Sequence, residues 1–396
     1  MDEYDSPDEL VTRRPDIPVT CFRPAALHTS ARWFLGNFPG RTLYAVKVNP
    51  APYVVSGLYE AGIRGFDVAS IPEVQLVHEK CPGSLIAFMH PVKSRQTIEQ
   101  AYFDFGVRDF ALDSMDELEK IVASTGNSTD LSLIIRMGLP SNGTGLFMAG
   151  KFGVNPSKTA DLVRAARKVA RRVGISFHVG SQAMDPYAYT AALDLAGNII
   201  RSMPRTKVDV IDVGGGFPSI YTGQNPPAMS AYRAAIEEGI SRLPSPERYE
   251  FWSEPGRALV AESASVVARV DGRKGDTLYI NDGTFGSLFD AGTALNFRFP
   301  VRLIRGSSDK KASATMKPFR FYGPTCTSED YMPGPFFLPS DVREGDYIEI
   351  GQLGAYGNTL RTGFNGFDRT ETVTVNAPPL VTMYNEPADV KELCIA

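Results

Sequence analysis

Reactive side chains in this chain stand at the ends of short apolar runs. Lys47 follows TLYAV, Asp67 and Ser70 close RGFDVAS, His90 closes SLIAFMH, Asp113 closes VRDFALD, and Arg136 lies in LSLIIRM. His178 and Ser181 belong to FHVGSQ, Gly214, Gly215 and Gly216 follow VDVIDV, and Glu254, Gly256 and Arg257 make up EPGR. Any one of these has an ordinary reading, since a strand-end Lys or Asp is commonly half of an ion pair and a glycine triplet can be a turn that needs positive φ. Together they describe a chemistry. GGGFP exposes backbone N–H groups in a tight turn suited to a phosphate, and EPGR adds a guanidinium. A desolvated Lys is the usual former of a Schiff base with an aldehyde. Phosphate cradle, aldehyde-capturing amine, carboxylate and imidazole are the requirements of pyridoxal 5'-phosphate.

The elements that must position these residues alternate. Eight β-like runs, 42–48, 64–70, 84–90, 107–113, 131–137, 174–180, 208–214 and 249–255, are separated by stretches of helical spacing. In SKTADLVRAARKVARR, for example, Leu162, Ala165, Ala166 and Val169 form one apolar stripe. That alternation predicts an α/β fold, a closed eight-stranded parallel β/α barrel over 20–261, whose strand ends bring the polar residues to one mouth. From about residue 262 the pattern changes to ASVVARV, DTLYIND, FPVRLIR, FRFYGP, DYIEIG and TETVTVN between Gly, Pro, Asp and Ser clusters. These predict an antiparallel β domain over 262–396, with residues 1–19 packing on it and a flexible loop at 307–315.

Composition limits the partners. With 396 residues, 43% hydrophobic and 22% charged, the chain can build a large core in two domains. A net charge of -4 offers no basic field for nucleic acid or an anionic membrane. The start, MDEYDSPDEL, does not read as a signal or transit peptide, and no apolar run reaches the roughly 20 residues of a membrane span. Cys21, Cys81, Cys326 and Cys394 show neither disulfide-framework nor metal-ligand spacing. A soluble protein of a reducing cytoplasm is expected, with a small molecule as its partner and no metal.

YAVKVNP, FDVASIPE, FHVGSQ, DVGGGFP, EPGRALV, GPTC and the GAY of QLGAYG, running in order from about residue 18 to 370, resemble the fold-type III pyridoxal phosphate decarboxylases. That group acts on ornithine, lysine, arginine and diaminopimelate. INDGTFGSLFD, FMHPVKS and the GPTC context are most similar to bacterial ornithine decarboxylases. The resemblance implies a TIM-like, alanine-racemase-like barrel with Lys47 holding the cofactor aldehyde, Glu254 on the pyridine nitrogen, His178 stacked on the ring, Asp67 beside Lys47 and Arg136 on the hydroxyl side. It gives the phosphate to Ser181, the Gly214–Gly216 turn, Gly256, Arg257 and Tyr356. It makes Cys326 the proton donor after decarboxylation, on a loop shared across a homodimer interface where Asp330 pairs with Lys151. A racemase of this fold would put arginine where this chain has Glu254, and a non-catalytic homologue would lose Lys47 or Cys326. Ornithine decarboxylases carry Asp directly after the Cys, where this chain has Thr327, so either Asp290, Glu329 or Asp330 replaces that charge or the substrate differs at its distal end. The implied reaction is ornithine to putrescine, the product being a polyamine precursor, with lysine, arginine, 2,4-diaminobutyrate or an acylated diamino acid as alternatives.

Overall fold

The computed structural model describes residues 1–140, 150–306 and 311–384. Cys394 and the first residues of the 307–315 loop lie outside them. The chain divides into two compact units: a barrel unit, 31–218 with 226–256, and a sheet unit, 1–30, 219–225 and the described residues from 257 on. Among the described residues no helix is long and apolar enough to cross a membrane.

The barrel closes through eight parallel strands, Arg41–Ala45, Gly65–Val68, Leu85–Phe88, Asp109–Leu112, Ser132–Arg136, Arg172–Ser176, Val210–Asp212 and Glu250–Ser253, the last pairing with the first. Each falls within one of the eight predicted runs or begins one or two residues ahead of it. The interior is a packed layer of Leu43, Ala87, Met89, Ala111, Ile134, Val210 and Trp252. Trp252 fits because neighbouring inward positions are small. A Cβ on Gly174 would lie 2.7 Å from Ile134 Cδ1 and 2.9 Å from Val210 Cβ, and one on Gly65 would meet Leu43 at 3.0 Å. Such alternation of large and small side chains is what fills a barrel of this size. Serines just beyond the strand ends start three of the surrounding helices. Ser70, Ser114 and Ser94 accept the N–H groups of Glu73, Glu117 and Thr97, and Glu73 reaches back to Ala69 N at 2.6 Å to complete a capping box.

The sheet unit is organised on one long strand, Ala264–Lys274. Its first half pairs antiparallel with Val19–Phe22 and Tyr347–Ile350, and its second half, beyond a register shift at Val270/Gly272, with Thr277–Ile280. The sheet is mixed rather than wholly antiparallel: Glu3–Tyr4 with Glu371–Val375, Glu371–Val375 with Val19–Phe22, and Thr277–Ile280 with Met316–Tyr322 are parallel ladders. Leu10, Val19, Cys21, Val267, Tyr347 and Val373 are among its core residues.

Candidate active site

Lys47 does not end a strand. The first barrel strand stops at Ala45, and Val46–Val48 form a 3-10 turn before Asn49 and Pro50. Its side chain is 47% exposed rather than desolvated, and its Nζ lies 3.2 Å from Oδ2 of Asp67, which is buried at the end of the second strand. The turn is held against the EPG segment, because Ala45 N–H donates to Pro255 O at 3.2 Å and a Cβ on Gly256 would sit 2.4 Å from Val48 Cγ2. Gly256 is thus needed for close packing that fixes the Lys47 turn beside the strand carrying Glu254.

His178 lies two residues past the sixth strand. Gly180 N–H donates to its Nδ1 at 2.9 Å, so in the neutral ring the proton sits on Nε2. Burial, then the Arg136 and Lys47 charges, push its pKa well below the ordinary histidine value, so the imidazole is neutral at physiological pH. Gly214 and Gly216 adopt positive φ, 69° and 104°, and none of the three glycines has room for a side chain. A Cβ on Gly215 would lie 2.6 Å from Glu254 O and 3.3 Å from His178 Nε2, so this turn keeps a flat space beside the imidazole.

Glu254 is 4% exposed, its backbone N–H donates to Gly214 O at 2.8 Å, and among the described residues its Oε1 has no hydrogen-bond partner. Burial, then the Asp212 and Asp67 charges, raise its pKa well above the carboxylate range, opposed by Lys47 and Arg136. An orphaned buried carboxyl oxygen costs about 1–3 kcal/mol, which a folded chain tolerates where a ligand supplies the partner. A pyridinium N–H is such a partner, and the amine of Lys47, the neutral imidazole of His178 and the side-chain-free glycine turn match the rest of pyridoxal phosphate. The residues fit the cofactor.

In the sheet unit, Arg257 is also buried. Its Nη1 donates to Tyr221 Oη at 2.5 Å and its Nη2 to Asp290 Oδ2 at 3.2 Å, with the rings of Phe297 and Tyr356 each 5.0 Å away. Its Nε has no partner among the described residues, leaving one buried donor for an anion. Asp290 is therefore the counter-ion of Arg257, with a side chain only 5% exposed.

Cys326 is exposed on a loop, its N–H donating to Asn365 Oδ1 at 3.0 Å. Thr327 Oγ1 accepts from Glu329 N at 3.3 Å, and Glu329 is exposed. Asp330 is fully buried. Its Oδ1 takes Thr284 N and Oγ1 at 2.7 and 3.1 Å, and its Oδ2 takes Thr325 N and Oγ1 at 3.0 and 2.7 Å. It staples the Cys326 loop from inside through these four bonds. Asp330→Ala is expected to lower stability by about 2–4 kcal/mol, whereas Thr327→Ala should change it by less than about 0.5 kcal/mol, both read from urea unfolding.

Two buried groups escaped the sequence reading. Asp212 ends the seventh strand, fully buried, and Tyr221 holds Arg257. Asp212 stands two residues beyond the buried Val210 and two before the glycine triplet in VDVIDVG, and its parity with Val210 was the available signal for an inward-facing acid.

A parallel barrel with a lysine, a buried glutamate and a neutral histidine at the ends of its strands, joined in one chain to a β-sheet unit, defines a class of pyridoxal phosphate enzymes. Residues 26–261 match the family described as pyridoxal-dependent decarboxylase, pyridoxal binding domain, and the chain belongs to that family. It is 29% identical over 357 residues to the lysine/ornithine decarboxylase of Selenomonas ruminantium, covering 88% of this chain and 87% of that protein. To the ornithine decarboxylase of Panagrellus redivivus it is 30% identical, over 83% and 78% of the two. Among solved structures, the lysine/ornithine decarboxylase of Vibrio vulnificus complexed with cadaverine superposes with a TM-score of 0.80 at 29% identity, covering 94% of this chain and 100% of that one. The Paramecium bursaria Chlorella virus arginine decarboxylase bound to agmatine gives 0.78 at 25% identity, over 91% and 98%. The protein is a pyridoxal-phosphate-dependent amino-acid decarboxylase, and its relatives act on basic amino acids.

Proposed function

We propose that the chain removes the α-carboxylate of a diamino acid, with ornithine giving putrescine as the reference reaction. The carrying observation is the buried Oε1 of Glu254, which meets no hydrogen-bond donor among the described residues, in the same unit as the Lys47–Asp67 pair and the neutral His178. When bound, pyridoxal phosphate supplies an aldehyde for the substrate amine and a ring that accepts the electron pair released as carbon dioxide leaves. Lys47 would hold the aldehyde, with Asp67 orienting the lysine Nζ. Glu254 keeps a proton on the ring nitrogen; an arginine there, as a racemase would use, could not do so as an acid, and this favours decarboxylation. His178 would lie against the ring without adding positive charge, and Arg136 would hold its hydroxyl side. Ser181, the glycine turn, Gly256, Arg257 and Tyr356 take the phosphate, Arg257 standing three residues along the chain from Glu254. Cys326 returns the proton to the substrate carbon from its exposed loop, which supports a twofold homodimer in which each loop serves the partner's site.

A second reading concerns the distal end of the substrate. Asp290 is committed to Arg257 and Asp330 to its loop, which leaves Thr327 and the exposed Glu329 to meet that end. This favours a substrate with a neutral or acylated distal nitrogen, because a buried ammonium without a carboxylate costs several kcal/mol. Carbon dioxide release from ornithine, lysine, arginine, 2,4-diaminobutyrate and Nδ-acetylornithine separates the two. Preference for ornithine or lysine supports a cationic distal group, paired with Glu329. Preference for the acylated compound by tenfold or more in kcat/KM assigns the neutral group, and Thr327→Asp should then raise ornithine turnover while lowering that of the acylated substrate.

A further inference from the structure

Asp212 and Glu254 are buried acids at the ends of the neighbouring seventh and eighth strands. Asp212 is two residues beyond Val210, and Glu254 two beyond Trp252, and both Val210 and Trp252 belong to the barrel interior. Asp212 is in register with Trp252 across the seventh and eighth strands, so Glu254 stands one two-residue step beyond the level of Asp212, and the two buried side chains meet across that diagonal. Asp212 is anchored from below. Its Oδ1 accepts Gly214 N–H at 2.8 Å, and its backbone O accepts Phe177 N–H at 3.2 Å. Glu254 N–H closes the frame on Gly214 O. Asp212 Oδ2, like Glu254 Oε1, has no hydrogen-bond partner among the described residues that does not itself carry a carboxyl. Two carboxyls confined together cannot both ionise at low cost.

We propose that Asp212 is a positioning residue for Glu254: the two buried carboxyls share one proton in the free protein, and Glu254 surrenders that proton to the pyridine nitrogen when the ring is seated. The Glu254 O–H bond breaks with its electron pair staying on oxygen, an N–H bond forms, and the negative charge of Asp212 remains behind Glu254 to stabilise the pyridinium. The inference deepens the functional reading above and rests on it only for the identity of the ring. The other charged or titratable groups affecting this pair are Asp67 from the second strand, Lys47 from the turn after the first, and Arg136 from the fifth, with His178, past the sixth, neutral. Burial, chiefly, raises Asp212 from 3.8 to about 6, and burial with Asp212 and Asp67 raises Glu254 further.

In the free protein, a carboxyl whose folded pKa is raised contributes stability that is complete below its unfolded pKa of 3.8 and lost as pH rises through about 6. Asp212→Asn keeps the acceptor for Gly214 N–H and removes the charge. Its urea midpoint, measured without cofactor from pH 4.5 to 7.5, should gain steadily on the wild type as pH rises. Glu254→Gln should give the same drift from the other half of the pair, which covers an Asp212 variant that does not fold. A difference constant across pH in both would overturn the shared proton. In cofactor-loaded protein the pH midpoint of the bound chromophore's absorbance should fall by about one unit in Asp212→Asn, since one negative charge behind the ring nitrogen is gone. An unmoved midpoint would overturn the positioning role. Failure of the wild type to take up pyridoxal phosphate would instead refute the functional reading, while the urea series still decides the pair.

Discussion

Lys47→Ala purifies as a folded protein that shows no covalently held cofactor absorbance and loses at least about 10³-fold in carbon dioxide release. Folding survives because the side chain stands on a half-exposed turn; what is lost from stability is the partner of buried Asp67, about 1–3 kcal/mol. Lys47→Arg sharpens the test. It preserves a cation beside Asp67 but offers no amine able to condense with an aldehyde, so it should regain the stability and none of the activity. Arginine restoring turnover would reduce Lys47 to an ion-pair partner and sink the assignment.

Glu254→Gln carries the second large effect, and its two readouts move in opposite directions. Turnover should fall by about 10²–10³-fold, the scale of removing one buried group that stabilises developing charge. Stability of the cofactor-free protein should gain on the wild type as pH rises. A folded pKa raised by burial and by Asp212 and Asp67 means that the wild type loses stability as pH climbs, and an amide of the same shape has no charge to lose. A carboxylate kept for function at a cost to folding has this signature. Turnover within a few-fold of wild type, or a stability change of the same size at every pH, would remove Glu254 from the role.

Why some of this was legible in the sequence and some was not has a physical explanation. All eight barrel strands were readable because each is a short apolar run closed by a polar residue, and a parallel barrel turns that local pattern directly into position. Lys47 was misplaced by two residues, since the run reads as strand until Asn49 although the chain turns after Ala45. The parallel ladders of the sheet unit join segments as distant as Val19–Phe22 and Glu371–Val375, and nothing local in either reports the other. Residue type likewise does not report direction. Asp290 and Asp330 have the chemistry for a substrate ammonium, yet one faces a guanidinium and the other two threonines. Asp212 was passed over beside three glycines, although its alternation with Val210 turned it inward.

The carboxylate of Asp330 sets the shape of the Cys326 loop from its buried side, clamped between Gly283 and Gly323, where an added Cβ would lie 2.1 and 2.3 Å from its oxygen. Position 327 joins that scaffold through its backbone O, which accepts Asp330 N–H, while its side chain adds a turn contact with Glu329 N. A lineage carrying this loop is therefore free to exchange position 327 one substitution at a time, every intermediate sequence still folding and still presenting its thiol. If position 327 meets the substrate as proposed, preference in such an enzyme drifts without a barren valley to cross, while the reaction itself stays fixed.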